Sequence, residues 1–187
     1  MSISKPNANG ILLDTSAINS IAKKTEYLNI ALQLKQQGYH FYVIRVSENE
    51  LNGFGAKVYD KKCFPSYFKG GPSPEEKAKI QYVEDALEVE FVPEAATLMH
   101  NHWILDGNER IEDGLYSDLI AEILSFRPKW RQEHPFSQFY DAQIAEAAAH
   151  YNLILITDDR QLRHAVNKYA KQKSISTAEL SSLCRNN

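Results

Sequence analysis

The stretch FYDAQIAEAAAHYNLILITDDRQL, residues 139–162, decides the fold that this sequence predicts. Residues 139–151 are rich in alanine, the strongest helix former, and predict a helix. LILIT, residues 153–157, is a short apolar run between polar residues, which is the pattern of a buried strand. Residues 159–171 predict a second helix. A buried strand between two helices is typical of a parallel α/β sheet.

The same alternation of strands and helices extends over the rest of the chain. Further short apolar runs predict strands at residues 10–14, 40–46, 90–93 and 174–176. Apolar spacing predicts a helix at residues 17–37, weakened near residues 23–26 and stopped by Gly38, and another at residues 74–89 with Ser73 as its N-cap. TAELSSLC predicts a last helical turn. The expected architecture is a central, mostly parallel β-sheet flanked by helices.

The composition favours one domain that spans residues 1–187, with a polar tail at residues 1–9 and a long middle segment at residues 56–136. The net charge of −3 argues against a uniformly basic nucleic-acid binder, although a local basic strip can still guide a phosphate backbone. Two distant cysteines, Cys63 and Cys184, predict neither a disulfide framework nor structural zinc. Without an apolar run of about 20 residues, we expect no membrane span and a reduced, cytoplasmic protein.

Four acidic residues stand where a strand ends or a helix begins in this scheme: Asp14, Glu50, Asp141 and Asp159. In an open α/β sheet the functional crevice lies beyond the carboxyl ends of the strands, so acids from distant segments can converge there. Converging carboxylates need cations to neutralise them, and oxygen ligands favour Mg²⁺ or Mn²⁺. The four acids therefore predict a divalent-metal site.

Each acid, taken singly, also has a structural interpretation, because helix starts are rich in acids and hydroxyls. Asp14 is a candidate cap of the first helix, as are Thr15 and Ser16, and Glu50 is a candidate partner of Ser47 in a capping box. The remaining acids suit helix starts as well, and Glu48 and Asp158 compete with their neighbours for the site positions. For Asp158 we expect capping of the helix that begins at Asp159.

The joint pattern of these segments resembles a known family. LLDTSAI, SENEL with Gly53, DAQIAEAAAHYNLILITDD and SISTAEL resemble the motifs of PIN-domain nucleases, which include the VapC-type toxin ribonucleases. The resemblance covers residues 11–55 and 137–180. It implies a PIN-like three-layer sandwich, and residues 56–136 would then be an enlarged, helical middle segment that has no counterpart in the family pattern.

The resemblance also implies an activity and its residues. The metal-binding acids of the family fall on Asp14, Glu50, Asp141 and Asp159, with the hydroxyls of Ser16 and Thr157 behind them. One or two Mg²⁺ or Mn²⁺ ions held there would activate water for cleavage of an RNA phosphodiester bond. A homodimer, and an antitoxin protein as partner, are expected from the resemblance alone.

Basic residues lie beside the proposed site in sequence. Lys129 and Arg131 flank Trp130 ahead of residue 141, and Arg160 begins a run that includes Arg163 and Lys168. Lysine and arginine near an aromatic ring can bind a phosphate backbone and stack a base. We therefore expect Lys129, Arg131 and Arg160 to bind substrate, while a solvated helix face remains the alternative.

Two other functions fit the same sequence. A PIN-like scaffold without catalysis would keep the acids as helix caps and bind RNA or protein. A nuclease that acts on structured DNA would use the same metal chemistry. Divalent-metal binding separates the scaffold from both nucleases, and the preferred substrate separates RNA from DNA.

Overall fold

The computed structural model describes residues 9–45, 47, 51, 72–92, 121–123, 125, 136–170 and 172–184. Within these ranges, five parallel strands form one open sheet in the order β3-β2-β1-β4-β5. The strands are β1 (Gly10–Leu13), β2 (His40–Val43), β3 (Glu90–Phe91), β4 (Ile154–Ile156) and β5 (Ser174–Ile175). The predicted parallel α/β sheet is confirmed, and each strand begins within a residue of its predicted start.

Helices connect these strands. They are α1 (Thr15–Lys23), α2 (Thr25–Gln36), α3 (Pro74–Leu87), α4 (Phe136–His150) and α5 (Arg160–Ala165), which a π-helical turn (Val166–Ala170) extends, and a 3₁₀ helix (Thr177–Leu183). The predicted break is confirmed, because Lys24 has an extended backbone between α1 and α2. Gly38 follows the end of α2 with a φ of 88°, a left-handed conformation that glycine adopts readily. In the described ranges, no helix has both the length and the apolar character that a bilayer crossing demands.

The sheet is covered on both faces, so the fold has three layers. On one face, Leu12, Tyr42 and Leu155 pack with alanine-rich α4 and with α5. On the other face, alternate strand residues such as Ile11 and Leu13 pack with α1, α2 and α3. Side chains alternate between faces along each strand, so a strand that feeds two cores must be apolar at successive positions. This explains why β1 and β4 are continuous apolar runs, whereas the short strand β3 is exposed.

The strand order reverses between β1 and β4. The chain runs outward from β1 through β2 to β3 and then returns to place β4 on the opposite side of β1. Neighbouring strands whose connections leave in opposite directions open a crevice at their carboxyl ends, where open α/β sheets bind ligands. The segments that directly follow β1 and β4 therefore meet at this crevice.

Several predicted boundaries are wrong by a few residues. The strand predicted at 40–46 ends at Val43, and Arg45 is already helical. Helix α4 begins at Phe136, directly after Pro135, rather than at residue 139, so that Asp141 is its sixth residue and not part of a helix start. Pro135 precedes this start in the sequence, and proline is a common sequence signal for the beginning of a helix.

The predicted N-cap of α3 is confirmed. The Oγ atom of Ser73 accepts a hydrogen bond from the Glu76 N–H at 3.2 Å, and the Glu76 carboxylate accepts one from the Ser73 N–H at 2.9 Å. This reciprocal capping box satisfies two backbone donors that the helix itself leaves unpaired. A Ser73→Ala variant would lose about 1 kcal/mol of stability at a place remote in sequence from the carboxyl ends of β1 and β4.

A side chain covers the outer edge of β5. The backbone hydrogen bonds between β4 and β5 run from Leu155 N–H to Lys173 O and from Thr157 N–H to Ile175 O. The N–H and C=O groups of Ser174, which lies between residues 173 and 175, therefore face away from β4. Asn167 accepts the Ser174 N–H at 3.0 Å and donates its amide to the Ser174 carbonyl at 3.5 Å. Its amide stands where a sixth strand would bond.

Candidate functional site at the carboxyl ends of β1 and β4

Asp14 lies at the centre of the crevice, directly after β1. Its side chain is 5% exposed, and its backbone N–H donates to the Ile156 carbonyl at 3.2 Å. The Oδ1 atom accepts the Ala17 N–H at 2.7 Å, so Asp14 is the N-cap of α1. The expectation that Thr15 or Ser16 caps this helix is wrong, because Asp14 already holds the extended conformation that a cap requires. The positive end of the helix dipole favours the ionised carboxylate.

Two hydroxyl groups complete the surroundings of Asp14. The Ser16 Oγ lies 2.8 and 3.0 Å from the two carboxylate oxygens, and the buried Thr157 donates its hydroxyl to Oδ2. The two hydroxyl oxygens are 3.4 Å apart. From the family resemblance, Ser16 was expected beside the first acid and Thr157 ahead of the last one, and the structure brings both hydroxyls to Asp14.

The direction of both hydroxyl bonds is fixed by the backbone. The Asp158 N–H donates to the Ser16 Oγ at 2.8 Å, and the Asp159 N–H donates to the Thr157 Oγ1 at 3.1 Å. An amide N–H can only donate and a carboxylate can only accept, so each hydroxyl accepts from the amide and gives its proton to Asp14. The result is a buried carboxylate with a preset pattern of donors.

Asp159 is the second site acid that the structure places at this edge. Its Oδ1 accepts the N–H groups of Gln161 at 2.7 Å and Leu162 at 3.2 Å, so Asp159 caps α5. Arg160 is the first residue of that helix and is exposed. Asp159 is therefore joined to Asp14 through the Thr157 hydroxyl, and Arg160 stands next to it in the sequence.

Asp158 has a different role from the one that we expected. It does not cap α5, because the helix begins one residue later and Asp159 holds the cap position. Its carboxylate instead accepts the Ser20 hydroxyl at 2.5 Å and the Thr177 N–H at 2.9 Å. Sequence reasoning missed Ser20, although Ser16 and Ser20 share one face of α1 through their i, i+4 spacing.

Two members of the basic run bind the protein itself. The Arg163 guanidinium donates to the Thr157 carbonyl at 2.5 Å, and it thereby holds the turn between β4 and α5. Lys168 forms an ion pair with Glu122 at 3.2 Å. Both side chains therefore have intramolecular partners, although the Lys168 side chain is still 51% exposed to solvent. A phosphate-binding role for these two residues stays a prediction.

The remaining predicted site residues are not all described. Asp141 lies half-buried on α4, which packs against β4 and α5. Glu50, Lys129 and Arg131 lie outside the described residues, as do most of residues 56–136. Among the residues that the structure describes, no three His, Cys, Asp or Glu side chains form a group able to hold a metal ion. Asp14 and Asp159 offer the oxygen atoms that a hard cation prefers, so the donor type fits such an ion.

The C-terminal segment beside Asp158 carries a carboxylate with a perturbed pKa. Ser176 donates its hydroxyl and its backbone N–H to the Glu179 carboxylate at 2.7 and 2.8 Å. These bonds, together with the nearby positive charge of Arg163, hold the pKa of Glu179 below its usual value of 4.5. Hydrogen bonds to the ionised form account for this direction.

A pH-dependent stability follows for Glu179. Since its pKa is lower in the folded chain, its contribution is complete above the unfolded pKa and is lost as the pH falls through the folded value. The wild-type chain should exceed Glu179→Gln in stability by about 0.5 kcal/mol near pH 7, a small effect because the side chain is exposed. Urea unfolding of both chains at several pH values would measure this, and a difference that is unchanged at about pH 2, where carboxylates are ordinarily protonated, would contradict the assignment.

Comparison with known proteins gives limited matches. No model of a known protein family matches the sequence, and no curated protein matches it. One solved structure with a similar shape is the crystal structure of PAE2754 from Pyrobaculum aerophilum. The two sequences are 16% identical, the alignment covers 94% of each chain, and the TM-score is 0.47.

Proposed function

We propose that this protein is a PIN-type endoribonuclease that hydrolyses RNA phosphodiester bonds with Mg²⁺ or Mn²⁺. The observation that carries the proposal is the buried carboxylate of Asp14, held at the strand-order reversal by two hydroxyls whose protons are directed at it. Burial of a charged group is costly unless its bonds are satisfied, so such an arrangement points to a group that is kept for its charge.

The residues have distinct roles in this proposal. Asp14, Glu50, Asp141 and Asp159 would supply carboxylate oxygens to the ion, which when bound offsets charge on the scissile phosphate and lowers the pKa of a water molecule. Ser16 and Thr157 fix the orientation of Asp14 from behind, as outer hydrogen-bond partners do in metal sites. Arg160, exposed beside Asp159, would bind a phosphate of the RNA, with Lys129 and Arg131 as further candidates.

A toxin–antitoxin role is the proposed biological setting, with RNA as substrate, a small antitoxin protein as partner and a homodimer as the working form. Support for this setting comes from the motifs LLDTSAI and LILITDD and from the parallel sheet that carries them. Growth arrest on expression of the chain by itself is the expected sign.

A second function is favoured by one specific observation. Asp14 and Asp159 are both N-caps of helices, so each already performs a structural task. A PIN-like scaffold that binds RNA or protein without cleaving it would need these acids for that task only. Such a scaffold would bind no divalent ion at the crevice.

The deciding experiment is cleavage of end-labelled single-stranded RNA, single-stranded DNA and hairpin DNA by the purified chain with Mg²⁺, Mn²⁺ or EDTA. We expect RNA to be cut with either ion and to survive in EDTA, and we expect calorimetry to detect Mn²⁺ binding. Preferred cutting of hairpin DNA would replace RNA by DNA as substrate. If the chain cleaves none of these substrates and binds no Mn²⁺, the result would favour the scaffold.

A further inference from the structure

Asp158 stands between two residues of the candidate site, yet its side chain bonds to other parts of the fold. The Oδ2 atom accepts the hydroxyl of Ser20, which is on α1, at 2.5 Å. The Oδ1 atom accepts the Thr177 N–H, at the start of the 3₁₀ helix, at 2.9 Å. One carboxylate therefore joins the turn after β4 to two elements that are distant in sequence.

The backbone of Asp158 reaches the site itself. Its N–H donates to the Ser16 Oγ at 2.8 Å, and Ser16 in turn donates to Asp14. Ser16 and Ser20 are one helical turn apart, so Asp158 binds α1 twice, once through its N–H and once through its carboxylate. A shift of this turn would move the amides that set the direction of both hydroxyls.

We propose that Asp158 is a positioning residue for the ribonuclease reaction proposed above, on which this inference rests. Its carboxylate holds the turn between β4 and α5 so that the amides of Asp158 and Asp159 keep the two hydroxyl protons on Asp14. Asp158 touches neither ion nor RNA in this scheme. Its exposed side chain contributes little to global stability, whereas its local effect on the crevice is direct.

Two substitutions separate positioning from metal binding. Asp158→Asn can keep both bonds, because its carbonyl oxygen accepts from the Thr177 N–H and its amide group donates to the Ser20 hydroxyl. Asp158→Ala keeps neither bond. If the charge of Asp158 bound an ion, Asn would fail as badly as Ala.

The test measures kcat and KM for cleavage of labelled single-stranded RNA with Mn²⁺ by the wild-type chain and both variants. Asp158→Ala should lower kcat by about 10- to 100-fold with KM nearly unchanged, as for other outer partners of metal sites. Asp158→Asn should restore most of the activity. Ser73→Ala is the matched control for lost stability, and its kcat should equal that of the wild type. An Asn variant as inactive as Ala, or an Ala variant as active as the wild type, would overturn the proposal.

A second readout does not depend on catalysis. Amide hydrogen exchange of the Asp158 N–H should be slow in the wild type and in Asp158→Asn, and fast in Asp158→Ala, because only Ala releases the turn. A wild-type chain that cuts no RNA would refute the proposed ribonuclease. The exchange rates would still decide the positioning role: equal protection in the wild type and in Asp158→Ala refutes it.

Discussion

The Asp14→Asn variant is expected to lose metal-dependent RNA cleavage and to unfold more easily than the wild-type chain. Both hydroxyl protons around residue 14 are directed inward by backbone amides, so the amide group of an asparagine would meet a donor where the aspartate offers an acceptor. A buried donor without an acceptor costs about 1–3 kcal/mol. The loss of activity should exceed the roughly 10- to 100-fold effect of an outer partner, because the variant removes the charge of the proposed metal ligand.

The matched control for this variant is Asp85→Asn. Asp85 is exposed on α3, and its carboxylate accepts a bond from the exposed Gln81 side chain at 3.0 Å, so the same chemical change there should alter neither cleavage nor the urea midpoint. Circular dichroism must show that Asp14→Asn is folded at the assay temperature. A folded Asp14→Asn chain with wild-type cleavage would place the activity elsewhere or in a contaminant.

Thr157→Val should have the next largest effect, because it removes a hydroxyl and keeps the shape of the side chain. In this variant the Asp14 carboxylate loses one donor and the Asp159 N–H loses its acceptor. Thr157 itself is 0% exposed. We expect a loss of about 1–3 kcal/mol in unfolding free energy and about a 10- to 100-fold fall in kcat. Denaturant titration and RNA cleavage kinetics would measure the two effects.

Thr157→Ser is the companion variant, since it keeps the hydroxyl and loses only a methyl group. It should keep most of the cleavage activity and lose less stability than Thr157→Val. Equal activities of the two variants would show that the hydroxyl does not orient Asp14, whatever the effect of each on stability.

Much of this fold could be predicted from the sequence because the central strands β1 and β4 are largely buried on both faces. Strand β1 contributes side chains to two cores in alternation, namely Ile11, Leu12 and Leu13, so no polar residue interrupts its apolar run. The N-cap of α3 could be predicted for a similar reason, since Ser73 directly precedes the first residue of the helix. Features of this kind depend on residues that are close together in the sequence.

Other features depend on contacts between distant segments, and no local pattern encodes them. Ser20 and Asp158 are separated by 138 residues, and Asp158 and Thr177 by 19. The expected capping role of Asp158 was reasonable for an acid ahead of a helix, but the neighbouring Asp159 competes for the same backbone donors. Only the packing of α1 and the 3₁₀ helix on the turn decides which acid takes which task.

The Asn167 side chain should protect the protein from aggregation in concentrated solution, because it covers the outer edge of β5. An uncovered strand edge is a template on which another chain can add, and folded proteins block such edges. Here, one amide engages both outward groups of Ser174. Loss of that amide would uncover the strand edge without disturbing the two cores. We therefore expect slow aggregation of folded molecules during storage and no decrease in the melting temperature.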